Sequence, residues 1–146
     1  MNHLYPQRDP IKNFFPLPNE LFHLKLCAGE IAVYTYLMYR ENRKDHTCVV
    51  SYREIGTAVG MSKNTVSKYV AKLEARGLIE TEPTSVITHD GLKGNGKLKY
   101  KILPIQIAVD RHNADKLVQL ELETARYNLQ KAQARQDTLA GNLPPS

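Results

Sequence analysis

Residues 51–80, SYREIGTAVGMSKNTVSKYVAKLEARGLIE, constrain this chain more than any other stretch, because they read as two capped helices reversing at one glycine. Ser51 is a strong N-cap, and Glu54 three residues on completes a capping box. Ile55, Ala58 and Val59 give the first helix an apolar side. Gly60 stands where a helix must stop and reverse, a position that needs positive φ. Ser62 offers a second N-cap, worth roughly 1 kcal/mol. Val66, Val70 and Leu73 then recur at i, i+4, i+7, with Tyr69 flanking them. Gly56 is small where two steeply crossing helices need close approach. A helix, a glycine turn and a second helix with a polar outer face is a helix-turn-helix layout.

The segments around this core extend the pattern. Residues 28–41, AGEIAVYTYLMYRE, predict a helix with a core stripe of Ile31, Tyr34, Leu37 and Met38. Phe14-Phe15-Pro16-Leu17-Pro18 is extended by its prolines and should dock on the domain, and Asn19 is a candidate cap for a short turn through Leu24. Thr47 to Val50 reads as a short strand. Gly77 stops the second helix of the pair, and Leu78 to Thr88 is β-branched, with Pro83 demoting it to an edge or broken strand. His89 to Lys97, HDGLKGNGK, carries three glycines and reads as a flexible turn, followed by alternating residues from Leu98 to Leu103. Two strands with a basic, glycine-rich tip behind a helix-turn-helix form a wing.

From about residue 106 or 110 to Leu139 the pattern is helical again. Val118, Leu122, Ala125, Leu129, Ala132, Gln136 and Leu139 follow the 4-3 spacing of a heptad seam, with Leu117, Leu120 and Tyr127 on a second face. About 30 such residues make a helix of roughly 45 Å, too long to bury itself against a wing domain, so a homodimer through Val118, Leu122, Ala125, Leu129, Ala132 and Leu139 is expected. A tail crossing its own domain is the alternative. The expected fold is mainly α with a small β-hairpin: an arm at 1–13, a winged helix-turn-helix at 14–104, a long C-terminal helix at 105–140 and a tail at 141–146.

Charge placement suggests the partner. The chain carries 20 Lys and Arg against 15 Asp and Glu, a net +5, and the excess is clustered. Lys63, Lys68, Lys72 and Arg76 face Glu74 alone within residues 62–76, and Lys93, Lys97, Lys99 and Lys101 meet no acid within 91–101. Such clustering fits a polyanion binder, although lysines also cover ordinary solvated faces. Cys27 and Cys48 lack any CxxC spacing and the histidines at 3, 23, 46, 89 and 112 are scattered, so no metal site or cofactor is expected and both cysteines read as buried apolar residues. No apolar run reaches the roughly 18 residues of a membrane span, and MNHLYPQRDP lacks a signal-peptide core, so a cytoplasmic protein is the default expectation.

With these pieces placed, the chain resembles a winged helix-turn-helix family found in replication initiators, replisome organisers and transcriptional regulators of bacterial plasmids, phages and conjugative elements. The resemblance rests on FFPLPNELFHLKLCAGEIAVYTYL and on S-Y-x-x-I-x-x-x-x-G-M-S-x-x-T-V, and covers roughly residues 14–103. Cys27 departs from it, because such domains often place Ser or Thr there as a cap. The C-terminal helix lies outside the match, and the additional domains of larger replication proteins are missing, which makes a full initiator the less favoured expectation.

A helix starting at Ser62 and entering the major groove would turn Asn64, Ser67, Lys68, Ala71 and Ala75 outward. Asn64 can pair with adenine and Lys68 can reach guanine acceptors, while Thr65 and Ser67 suit phosphate or short base contacts. Lys63 and Lys72 flank that face as phosphate contacts, and the helix N-terminus at Ser62 favours an anion. Ser51 and Tyr52 could touch the backbone from the preceding helix, Tyr52 being equally explained as a packed aromatic. Lys93, Asn95, Lys97 and Lys99 of the wing (about 88–99) could enter the minor groove or hold phosphate. The expected function is sequence-specific binding of double-stranded DNA as a transcriptional regulator. A replication or DNA-transfer accessory of a mobile element is the alternative. A protein–protein adaptor is a reading of another class, disfavoured by the basic recognition helix. No nucleophile–base pair, metal cluster or phosphate loop points to an enzyme, GNGK being too short for a nucleotide site.

Overall fold

The structure, a computed structural model, describes residues 13–87 and 93–141. The proposed arm (1–12), the wing tip (88–92) and the tail beyond Gly141 lie outside the described residues, as do the side chains of residues 85–95. A 3-10 turn, Asn19–His23, precedes α1 (Ala28–Arg40), β1 (Thr47–Val50), α2 (Tyr52–Val59), α3 (Lys63–Ala75), β2 (Ile79–Ile87), β3 (Lys93–Ile102) and α4 (Ile105–Gly141). The chain divides into two compact units between Val109 and Asp110.

In the first unit α1, α2 and α3 pack on a three-stranded antiparallel sheet of order β1-β3-β2. The predicted hairpin is present, and β1 widens it by pairing Thr47 with Lys101 through to Val50 with Leu98. Pro83 is confined to the edge strand β2, opposite Leu98, so its missing N–H costs the ladder little. Strand β3 begins at Lys93, five residues before the expected Leu98, so most of the glycine-rich segment is strand rather than turn. The register slips between Pro83 and Ser85, where Leu98 and Asn95 are their respective partners. One extra β3 residue is thereby accommodated as a bulge, and a Cβ on Gly96 would collide with Thr84 there.

The core joins Val33, Tyr34 and Leu37 of α1 to Ile55 of α2, Val66, Val70 and Leu73 of α3, and Val50, Ile79, Tyr100 and Ile102 of the sheet. Three expectations change. Val33 takes the centre of the α1 stripe while Ile31 and Met38 are only partly buried, because the helix is covered from the α3 side. Ala58 is exposed, while Ile55 and Gly56 are buried and Tyr52 and Val59 pack against the core partly buried. Asn19 opens the 3-10 turn, with Pro18 in the cap position. Of the two adjacent phenylalanines, Phe15 docks on Tyr39 with ring centroids 5.7 Å apart, and Phe14 stays about half exposed at 48%.

Cys27 is exposed rather than buried, because it stands at the N-cap of α1 with extended φ −77° and ψ 166°. Its amide donates to Glu30 Oε1 at 3.3 Å, so the capping role passes to the carboxylate. Glu30 is itself buried, and Arg76 at the end of α3 donates Nε–H to its other oxygen at 2.6 Å. The same guanidinium donates to the Leu24 carbonyl at 3.2 Å. One ion pair therefore ties the loop before α1, the start of α1 and the end of α3. Cys48 is buried as expected, and burial pushes its thiol up to about 11.

The second unit is the remainder of α4, a helix of 37 residues in all, or about 55 Å at 1.5 Å per residue. Ala108 is the buried residue of α4 and belongs to the first unit. From residue 113 to 141 every position is exposed, the apolar ones included.

Two stability outcomes follow. A Cβ on Gly56 would collide with the backbone carbonyl of Met61, which cannot swing aside as a side chain could. Gly56→Ala is expected to lower unfolding free energy by roughly 1–3 kcal/mol in urea melts, where helix propensity alone would raise it by up to about 1. Tyr100 Oη is buried without a hydrogen-bond partner, and burial drives its ionisation well above the ordinary tyrosine value. Tyr100→Phe removes that polar atom and keeps the ring, so the melting temperature should stay the same or rise. A fall of several degrees would show that the hydroxyl is satisfied in solution.

Candidate nucleic-acid interface

The interface begins with two helix starts. Ser51 Oγ accepts from the Glu54 amide at 3.1 Å, while the Ser51 amide donates to Glu54 Oε2 at 3.2 Å. This is the reciprocal capping box expected from the residues, and it sets Tyr52, half-buried, as the first residue of α2. Gly60 adopts φ 73° and ψ 40°, the left-handed region where a Cβ is strained. The Met61 amide then bonds the Gly56 carbonyl at 2.9 Å, a six-to-one closure onto the same carbonyl that accepts from the Gly60 amide. Ser62 Oγ accepts from the Thr65 amide at 3.3 Å and shares a hydrogen bond with Thr65 Oγ1 at 2.9 Å. The Thr65 hydroxyl is thus already engaged in capping α3.

Helix α3 presents two chemically distinct sides. Val66, Val70 and Leu73 are 0, 3 and 0% exposed, against the core. On the opposite side Lys63, Asn64, Lys68, Ala71, Lys72 and Ala75 are exposed and Ser67 is half-buried. Asn64, Lys68 and Lys72 follow one another at four-residue spacing, so they form a continuous stripe. Lys68 and Lys72 both lean on the Tyr69 ring, their Nζ atoms 5.9 and 5.6 Å from its centroid. That cation–π contact holds two positive charges over one aromatic group. Tyr69 is in turn wedged against Gly29 of α1, where a Cβ would strike the ring.

Charge on the stripe is less diluted than composition suggests. Glu74 accepts from the Thr81 amide at 3.3 Å and from its hydroxyl at 3.0 Å. Arg76, counted with the basic cluster from the sequence, is committed to Glu30 instead. The exposed charge of α3 facing outward is therefore carried by Lys63, Lys68 and Lys72.

The wing residues divide. By register Lys93 lies opposite Ile87 and Asn95 opposite Ser85, and their side chains lie outside the described residues. At the bulge, Lys97 turns toward α2 and pairs with Glu54, while Thr84 Oγ1 donates to the Lys97 carbonyl. Lys97 first, and the Ser51 amide second, hold the Glu54 carboxyl below its ordinary range. Lys99 lies opposite Glu82 and Lys101 opposite Glu80, on the face of the sheet turned away from the core. They border a shallow polar depression with Asp45, Thr47 and Thr81. Hydrogen bonds from Thr47, with Lys99 beyond, keep the Asp45 carboxyl low. Lys99 is thus grouped with carboxylates rather than with α3.

Sequence reasoning missed three features of this surface. Glu54 serves both the α2 cap and the wing, and only the capping spacing was visible. The Tyr69 clasp needed the knowledge that Lys68 and Lys72 flank the same ring. The Glu30–Arg76 pair joins residues 46 positions apart and left no local signal. Among the described residues, no group of three or more His, Cys, Asp or Glu could hold a metal ion. No described helix is long and apolar enough to cross a membrane.

No curated protein sequence matches the chain. Among solved structures, a possible transcriptional regulator from Methanosarcina mazei Go1 is 16% identical, with a TM-score of 0.45 over 74% of this chain and 80% of that one. MepR, a transcription regulator of the Staphylococcus aureus multidrug efflux pump MepA, is 16% identical with a TM-score of 0.39, covering 85% of each chain. A MarR-family regulator from Silicibacter pomeroyi is 13% identical with a TM-score of 0.40, over 87% of this chain and 80% of that one. Residues 24–79, from the residue after the 3-10 turn to the first residue of β2, match a family model described as a helix-turn-helix domain.

Proposed function

We propose that this chain binds double-stranded DNA sequence-specifically and acts as a transcriptional regulator. Helix α3 would lie in the major groove, with the wing on the adjacent minor groove or phosphates. The observation that carries this reading is the stripe of Asn64, Ser67, Lys68 and Lys72 on the side of α3 opposite Val66, Val70 and Leu73, inside a matched helix-turn-helix domain. An amide four residues from an ammonium supplies both donor–acceptor pairing for adenine and donors for guanine. Ser62 and the open amides of the first turn of α3 provide a phosphate seat, flanked by Lys63. Ser51 and Tyr52 lie at the other helix start and suit backbone contact. Lys97 reaches DNA only if its pairing with Glu54 opens, so Lys93 and Asn95 are the stronger wing candidates.

Helix α4 supports a homodimer. Val118, Leu122, Leu129 and Leu139 are 53, 47, 68 and 69% exposed, and Ala125 and Ala132 complete the same seam. A symmetric pair of such helices would bury these side chains and impose dyad symmetry on the DNA half-sites.

Selecting bound fragments from a random DNA library identifies the site. On that site Asn64→Ala and Lys68→Ala should each weaken binding by about 1–3 kcal/mol, with a much smaller loss on random DNA. Equal losses on both DNAs would sink base reading by these residues. Lys63→Ala and Lys72→Ala should weaken both DNAs alike and shallow the slope of log K against log[salt] by about 0.9 each.

Sedimentation of the wild-type chain at tens of micromolar should give a dimer. The double change Leu122→Glu with Leu129→Glu should give a monomer with the melting of the first unit unchanged. A wild-type monomer with full helical content would refute dimerisation through α4.

A further inference from the structure

A second candidate site lies in the first unit, away from α3. Where α1 ends, the chain turns through Asn42–His46 into β1, and the β3–α4 connector, Leu103-Pro104, passes beside it. The Ile102 amide donates to the His46 carbonyl at 2.8 Å and the Leu103 amide to the Leu78 carbonyl at 3.1 Å, so this corner is pinned from two strands. Between them is a cavity of about 370 Å³. Its walls are apolar, chiefly Pro18, Tyr34, Met38, Ile102, Pro104 and Ile105.

Glu41 and His46 are the acidic and basic groups that line this otherwise apolar space. Glu41 lines the cavity and its side chain is only 10% exposed. It occupies the C-cap of α1, the negative end of the helix dipole, where a carboxylate is disfavoured and a cation is favoured. Its ion-pair contact among the described residues is His46 Nδ1, 3.7 Å away, on an imidazole 61% exposed that balances the charge only when protonated. Burial first, and the Glu41 charge second, raise the Tyr34 hydroxyl to about 12, so the phenol stays neutral beside it. A carboxylate sheltered in apolar walls at the wrong end of a helix calls for a positive partner.

We propose that this cavity binds a small organic cation, a protonated amine or amidinium whose charged head pairs with Glu41 and whose apolar body fills the space beside Tyr34, Met38 and Ile105. The volume falls within the range of about 300–1,000 Å³ usual for small-molecule sites. A flat ring fits the chemistry, because Tyr34 and Pro104 offer apolar surface and the carboxylate stands at one position to orient the head. The site does not depend on the DNA-reading assignment, and either can stand without the other.

The test compares benzylamine and benzamidine with benzyl alcohol, a neutral molecule of similar shape, by calorimetric titration and thermal melting of the full chain. The cations are expected to bind at least tenfold more tightly than the alcohol and to raise the melting temperature. Their NMR shifts should concentrate on Met38 and Ile105. Glu41→Gln should erase the preference for the cations. Equal binding of amine and alcohol, no binding by either cation, or shifts centred elsewhere would each overturn the proposal. So would a folded Glu41→Gln variant that keeps the preference. Should that variant fail to fold, the amine–alcohol comparison and the shift map on the wild-type chain decide the matter.

Discussion

The buried Glu30 carboxylate is the constraint on which the geometry of this domain depends. A carboxylate with almost no solvent must be paired, and the partner it finds is Arg76, the residue that ends α3. That choice suits both helices. The C-terminus of α3 favours a cation and the N-terminus of α1 favours an anion, so the ion pair joins two helix ends of opposite polarity. The guanidinium has a further donor for the Leu24 carbonyl, and Glu30 has a further oxygen for the Cys27 amide. Four backbone and side-chain groups from three segments are fixed by two residues.

With both ends of the frame held, α3 has a defined rotation. Gly60 and Ser62 place its start, Gly77 at φ 81° places its end, and Val66, Val70 and Leu73 lock the face between. The exposed stripe is then determined by the period of the helix. Tyr69 adds to this, because its ring packs on Gly29 while carrying Lys68 and Lys72 on its face. The lysines that would approach a polyanion are therefore arranged by an aromatic group already anchored in the helix pair.

The basic clusters read from the sequence were real as composition but split by the fold. Arg76 goes inward to Glu30, Lys97 crosses to Glu54 and Lys99 joins the acidic rows of the outer sheet face. Each lies near an acid that is remote in sequence, so counting charges within a window could not detect the pairing. Lys63, Lys68 and Lys72 keep their exposure, and among the described residues no acid forms an ion pair with them. The β3 bulge is similar. Its residues looked like a flexible turn because glycines weaken a strand locally, yet β2 supplies the partner that completes the ladder.

The amino-acid sequence by itself determined the local stops and starts: the Ser51–Glu54 box, the left-handed Gly60, the Ser62 cap, the edge position forced by Pro83 and the long helix after Pro104. These follow from the conformational limits of single residues and from side-chain periods of two and 3.6, which need no knowledge of distant partners. Tertiary structure alone decided which charges remain free, that Val33 rather than Ile31 or Met38 centres the α1 face, that Cys27 is exposed, and that Glu41 is left inside an apolar corner. Each of these depends on what a distant segment brings within a few ångströms, and burial and ion pairing are properties of that meeting rather than of either residue.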